Sequence, residues 1–295
     1  MVSGRKFLKA FILIASILFC AKAMAQEVIT VDEENGFWAY EKANLKIEIR
    51  QKKDTEIPLV WYEVELWCSP EEPIVSMVTN EEKPGASFKS PQYITRTNQY
   101  VFAINDDFFG DRIYNKEMVG VSIRNEKLIS SKTYKRSGAY LPNLDTLAIY
   151  KDGSVEVNYC AEVTPEEFLE RGAVDVFAFG PILIRDGEIN PVLDTHFRPA
   201  EPRVGFGMIE PYHYAVVVVE GRHSKSRGHN CLFVAQRLLE MGAVQALNLD
   251  GGQTSALMFM GEKINITGKS GRSAKVRNLS GMITVGVSSQ VPEYK

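Results

Sequence analysis

Histidine and cysteine are scarce in this chain, four of each in 295 residues. His196, His213, His223 and His229 lack the spacings by which histidines share a metal, and the cysteines are scattered, so neither type points to a zinc site. Cys20 lies in an N-terminal leader; Cys68, Cys160 and Cys231 remain, too few for a disulfide scaffold, and whether two of them bridge is left open. Cys231 falls on an apolar helical face, where a small buried hydrophobe is the expected reading. Strong basic charge is absent as well. The formal net charge is −3, and losing Arg5, Lys6, Lys9 and Lys22 with a leader that carries no acid lowers it to −7. Such a chain does not bind nucleic acid through its overall field. Beyond the leader no apolar run approaches the roughly 20 residues that span a membrane as a helix. Gly205-Phe206-Gly207 lacks the further glycine and helix of a dinucleotide fingerprint, and Ser224-Lys225-Ser226 lacks a nucleophile elbow. No internal repeat or low-complexity tract is present.

What is there begins with the leader. Arg5, Lys6 and Lys9 precede the apolar segment Phe11 to Ala21, and Ala23-Met24-Ala25 is a small-x-small cleavage site, so residues 1–25 read as a secretory signal peptide. The expected destination is the periplasm, the cell surface or the medium. The rest is rich enough in apolar residues, 45% over the whole chain, to build a large core without staples.

Residues 26–57 read as a charged lead-in with one edge strand, Asn44 to Arg50. Residues 58–295 read as one domain. Alternation predicts strands at Val60–Trp67, Tyr100–Asn105, Ala173–Phe179 and Tyr214–Val219, and hairpins over Val119–Lys127 and Thr146–Val157 with a turn at Lys151-Asp152-Gly153. Thr164, Pro165 and Glu167 form a capping box for a short helix. Cys231, Val234, Ala235, Leu238 and Leu239 recur at helical spacing, with Asn230 or Ser226 as N-cap and Gly242 as the stop. Strand, helix and strand from Tyr214 to Asp250 predict a βαβ unit. The expected fold class is α+β, a mixed sheet with a few covering helices.

The sharpest stretch is Ala246-Leu247-Asn248-Leu249-Asp250-Gly251-Gly252-Gln253-Thr254-Ser255. An apolar strand ends with Asn248 and Asp250 on one face, then breaks at paired glycines that admit close approach to the backbone. In an open sheet that is where a ligand sits; the competing reading is an Asp that caps a tight turn. Tyr100 to Asn105 repeats the grammar, ending in Asn105-Asp106-Asp107. If the strands of the βαβ unit are parallel, Glu220-Gly221-Arg222 emerges beside Asp250.

With Ala178-Phe179-Gly180-Pro181, Pro202 to Gly207, Val219 to Arg222 and Ser226-Arg227-Gly228, these motifs run in one order over about residues 60–290. In this they resemble the phosphodiester glycosidase family. Departures fall at Gln253, Asp106, Val204 and Glu220, where the family commonly has Gly or Ser, Gly, Thr and Asp; they bear on substrate choice more than on fold. The resemblance implies an exported hydrolase that cleaves a sugar-1-phosphodiester in a glycan, releasing the sugar and leaving a phosphomonoester. It makes 58–295 a catalytic domain. Asp107, Asp250 and Glu220 are then the candidate acid, base or nucleophile. Arg203 and Arg222 are candidates for the phosphate, with Ser226 and Gly228 before the helix N-terminus. Asn105, Asn248, Gly251, Gly252, Thr254 and Ser255 would line the remaining substrate. No cofactor is expected; a divalent cation on Asp106, Asp107 or Asp250 is left open. Two other functions remain open: a glycan-binding envelope protein without catalysis, and a phosphodiesterase that breaks P–O.

Overall fold

A computed structural model describes residues 26–107, 112, 116–132, 144–194, 200–267 and 277–295. The leader, Phe108 to Gly110 and His196 lie outside the described residues. The largest sheet joins β1 (Val28–Asp32), β2 (Phe37–Lys42), β3 (Leu45–Lys53) and β4 (Val60–Trp67) to β12 (Ile182–Arg185), β13 (Glu188–Ile189), β14 (Arg203–Glu210), β15 (His213–Val219) and β16 (Gln245–Leu249). Its order is β1-β2-β3-β4-β15-β14-β16-β12-β13. A second sheet holds β7 (Gly120–Arg124), β8 (Lys127–Lys132), β9 (Asp145–Tyr150), β10 (Val155–Asn158) and β11 (Ala173–Phe179). The third holds β5 (Val75–Val78), β6 (Tyr100–Asn105), β17 (Leu257–Phe259), β18 (Glu262–Lys263) and β19 (Gly281–Val287).

Every ladder between these strands is antiparallel. The fold is therefore mostly antiparallel β, not the mixed α+β sheet expected. The reason lies in β14. It returns to pair with β15 along its length, and β16, arriving from the helix, pairs with the free edge of β14. The predicted βαβ unit thus has two parallel strands with an antiparallel one between them, and the carboxyl ends of β15 and β16 still reach the same rim. Residues 26–57 supply three strands of this sheet, and β3 lies inside it between β2 and β4 rather than at the edge. The Trp38 and Tyr40 alternation of β2 carries that continuation inward.

One apolar core is shared by all three sheets: Ile47, Tyr62, Val64, Phe206, Val216 and Leu249 from the first, Leu147, Val157 and Phe177 from the second, Val101, Ile104, Leu257 and Ile283 from the third. Each sheet has a helix on its outer face. Helix α1 (Pro91–Thr97) packs Ile94 against Ala103, Met258 and Met282. Helix α2 (Pro165–Glu170) packs Phe168 against Val121, Ile123 and Ala148, and its capping box is present as read. Helix α3 (Cys231–Glu240) packs Cys231, Val234, Ala235 and Leu238 against Leu183, Val217 and Ala246; Asn230 is its cap, accepting from Phe233 N at 2.9 Å. Seven residues are too few for α1 to show a period, so only Ser90 and Pro91 signalled it. Among the described residues, Cys68, Cys160 and Cys231 form no disulfide. No helix among the described residues is long and apolar enough to cross a membrane.

Gly205 lets α3 approach the sheet. A Cβ there would stand 2.5 Å from Val234 Cγ1 and 2.9 Å from Leu238 Cδ1. Gly205→Val is expected to cost about 1–3 kcal/mol through overpacking, read as a lower urea midpoint with an unchanged slope; an unshifted midpoint would show that α3 is not seated this closely.

Candidate active site

Two strand ends from different sheets are tied together by Asn105. This fully buried amide donates from Nδ2 to Asp106 O at 3.1 Å and to Asp250 O at 2.8 Å, and its Oδ1 accepts from Ala256 N at 2.9 Å. Its hydrogen-bonding capacity goes to the backbone on either side, so Asn105 is a joint and not the hydroxyl ligand expected. Asn248 has a similar duty. Its Nδ2 donates to Gly180 O at 3.0 Å while its backbone exchanges bonds with Gly180 and Pro181, and Oδ1 is buried with no partner among the described residues.

Asp107 was expected to face substrate, yet the structure encloses it. It is 1% exposed, bonded to Arg112, to Arg124 Nη2 at 2.7 Å and to Ala178 N at 3.0 Å. Asp106 shares Arg112, at 2.9 Å, and lies 3.7 Å from Arg124. Burial pushes the Asp106 carboxyl up, with Arg112 opposing that. Two acids and two guanidiniums balance in charge inside the protein, which is the only condition under which such groups stay buried. A carboxylate gripped on both oxygens cannot exchange protons with a substrate, and the same pairing leaves Asp106 and Asp107 unsuited to a divalent cation. No group of three or more His, Cys, Asp or Glu side chains placed to hold a metal occurs among the described residues. Arg112 itself, five residues beyond Asp107, was missed; its charge also feels Asp250.

Asp250 lies just past β16, partly exposed. Two residues on, a Cβ on Gly252 would stand 3.0 Å from Arg222 Nη2, so the guanidinium lies against this turn. Arg222 follows β15 with φ +65°. Its Nε donates to Glu201 Oε2 at 2.7 Å, and its two terminal nitrogens have no hydrogen-bond partner among the described residues; the side chain is 34% exposed. A guanidinium fixed through Nε, with both Nη groups open, is shaped for a two-oxygen anion. Glu201, which does the fixing, had no signal in the sequence beyond its place two residues before Arg203.

The glycines serve chain packing here. A Cβ on Gly251 would meet Pro202 O at 2.5 Å, and Gly252 N donates to Pro202 O at 3.0 Å. Gly228, at φ +94°, is pressed on the backbone of Glu201. They bring the 201–203 segment, Arg222 and the Asp250 turn into contact, in place of the ligand approach expected. Arg203 donates from Nε to His229 O at 3.2 Å. Ser226 is buried and bridges Glu220 O at 2.8 Å and Val60 N at 3.1 Å, so its hydroxyl is committed to the loop. Thr254 Oγ1 accepts from Arg277 Nη1 at 3.3 Å, and Ser255 is buried, its hydroxyl without a partner among the described residues.

Glu220 is nearly buried. Its Oε1 accepts from Tyr62 OH at 3.0 Å and from Ile266 N at 2.7 Å, and Oε2 lies 3.1 Å from His223 Nε2, an ion-pair distance without hydrogen-bond geometry. Burial pushes its carboxyl above the usual range, against the pull of these donors. Arg222, two residues on, bonds Glu201 and not Glu220.

The three-sheet antiparallel fold matches a known class. The phosphodiester glycosidase family model matches residues 98–285, and the chain belongs to that family. Among solved structures it is similar to the catalytic domain of zebrafish N-acetylglucosamine-1-phosphodiester alpha-N-acetylglucosaminidase, auto-inhibited by its pro-peptide. The TM-score is 0.68 at 17% identity, over 84% of this chain and 85% of that one. It also resembles a hypothetical protein from Synechocystis, TM-score 0.56 at 15% identity over 84% and 63% of the two chains. A putative exported protein from Burkholderia pseudomallei gives TM-score 0.54 at 10% identity over 77% and 74%. A prophage-derived uncharacterized protein of Bacillus subtilis, YomE, is 27% identical over 154 residues, 51% of this chain; the chain covers 23% of that relative's length.

If Asp107 holds the two buried arginines, Asp107→Asn will cost about 3–5 kcal/mol of stability. Chemical denaturation checks this, and a variant as stable as the parent would return Asp107 to the list of groups free to act on substrate.

Proposed function

We propose that this protein hydrolyses a sugar-1-phosphodiester at the bond between the anomeric carbon and oxygen. The observation that carries the reading is Arg222, held on Nε by Glu201 and, among the described residues, open on both terminal nitrogens beside the Asp250 turn. Family membership supports it.

Arg222 would grip two phosphate oxygens and set the anomeric carbon toward Asp250. Asp250 acts there as nucleophile or as the base for a water, on a transition state with oxocarbenium character. The departing group is a phosphomonoester, whose second pKa is about 6; charge neutralisation by a guanidinium does most of what a strong acid must do for an alcohol. That is why the site can work with Asp107 withdrawn into the interior. Of the four departures, Gln253 lies in the turn that follows Asp250, which favours a sugar or aglycone particular to this protein. With the leader of residues 1–25, the reading places its glycan substrate outside the cytoplasm.

Purified protein incubated with glycosyl-1-phosphodiesters in heavy-oxygen water should release free sugar carrying the label. Asp250→Asn should lower kcat/KM by at least about 10²-fold. No release from any such substrate overturns the reading, and label on the phosphate would establish P–O cleavage instead.

A further inference from the structure

Glu220 and His223 are not used by the reaction as written, yet they flank Arg222 in the chain. We propose that His223, seated by the buried Glu220, donates the proton to the departing phosphate oxygen next to Arg222. The inference rests on the reading above and adds the group that serves the leaving side.

The pair is built with care at the level of single atoms. Tyr62 OH and Ile266 N occupy Glu220 Oε1, at 3.0 and 2.7 Å, and leave Oε2 to face the imidazole at 3.1 Å. Tyr62 is itself fixed: its hydroxyl accepts from Gln51 Nε2 at 2.7 Å, and its single proton is shared between Glu220 Oε1 and Ile264 O, 2.8 Å away. The loop that carries the imidazole is locked from below: His223 N donates to Ser226 O at 3.1 Å, Ser226 N to His223 O at 3.2 Å, and Ser226 Oγ ties Glu220 O to Val60 N. His223 Nε2 is buried, and 14% of the side chain remains exposed. One ring nitrogen, Nε2, thus faces a fixed carboxylate, and the proposal gives the other to the anion that comes to Arg222, the preceding residue in the chain.

The charges that bear on the pair come from three sides. Arg222 stands on the same loop, Tyr62 faces it from β4, and Lys263 of β18 feels the Glu220 charge. A lone carboxylate in this apolar setting would take up a proton; an imidazolium at ion-pair distance gives it a reason to stay ionised. Imidazole, ordinarily near pKa 6.5, and a phosphomonoester, with a second pKa of about 6, are closely matched, so the proton moves between them at little cost.

The step balances. The C1–O bond breaks and its electron pair goes to the phosphate oxygen, which takes the His223 proton. Water adds its oxygen to C1 and yields a proton through Asp250 to solvent, and the imidazole is recharged from solvent.

Two probes separate this from a structural histidine. With methyl N-acetylglucosamine-1-phosphodiester, His223→Gln should lower kcat/KM by about 10²-fold and remove the alkaline limb of its pH profile. With N-acetylglucosaminyl fluoride, whose leaving group needs no such proton, the same variant should be within a few-fold of the parent. Equal losses on both substrates would overturn the proposal. Independently of turnover, the His223 midpoint followed by NMR should rise when inorganic phosphate is added, and should fall in Glu220→Gln. A midpoint indifferent to phosphate, or to Glu220→Gln in a protein that still folds, would overturn it even if the parent proved inactive on every phosphodiester.

Discussion

A single buried amide, Asn105, holds the site together. The rim on which chemistry is proposed belongs to two sheets, and nothing in either sheet's own ladder dictates how β6 and β16 meet. Asn105 supplies that instruction by bonding the chain at Asp106, Asp250 and Ala256 at once. No shorter or apolar side chain can do this, because three backbone polar groups would lose their partners inside the protein. Once the joint is made, Asp250 is displaced to the rim while Asp106 and Asp107 are turned inward to the arginines.

That division explains how a site rich in charge sits on a β-rich core. The interior tolerates Asp106, Asp107, Arg112 and Arg124 only as a balanced set, and they act together as a rigid polar wedge. Outside the wedge Arg222 pairs with Glu201 and Glu220 with His223. The glycines at 228, 251 and 252 are what make the distances short enough, since any side chain there would push the Glu201 segment away from the Asp250 turn.

Much of this was legible in the sequence, and for identifiable reasons. The strands Val60–Trp67 and Tyr100–Asn105, the Thr164 capping box and the helix from Cys231 all announce themselves through local period or cap chemistry, and the structure has them. The common rim of β15 and β16 followed from the hand of a strand, helix, strand connection. The sheet's antiparallel character did not, because only the long-range pairing of β14 with β16 decides it. The site divides the same way. Residue types at strand ends marked the right loops, but the choice of partner within them depends on geometry: Arg222 took Glu201 rather than Glu220, Asp107 took Arg112 and Arg124, and Ser226 took the backbone. His223 carried no motif, and its role emerges only with Glu220 fixed beside it.

The central claim is that Arg222 and Asp250 act on the same small ligand. Crystals grown with inorganic phosphate test it most directly. The account predicts a phosphate bound in two-point contact by the terminal nitrogens of Arg222, on the side of the Gly252 turn that faces Asp250, with Glu201 still on Nε. Phosphate bound elsewhere, with Arg222 swung away from that turn, would contradict it.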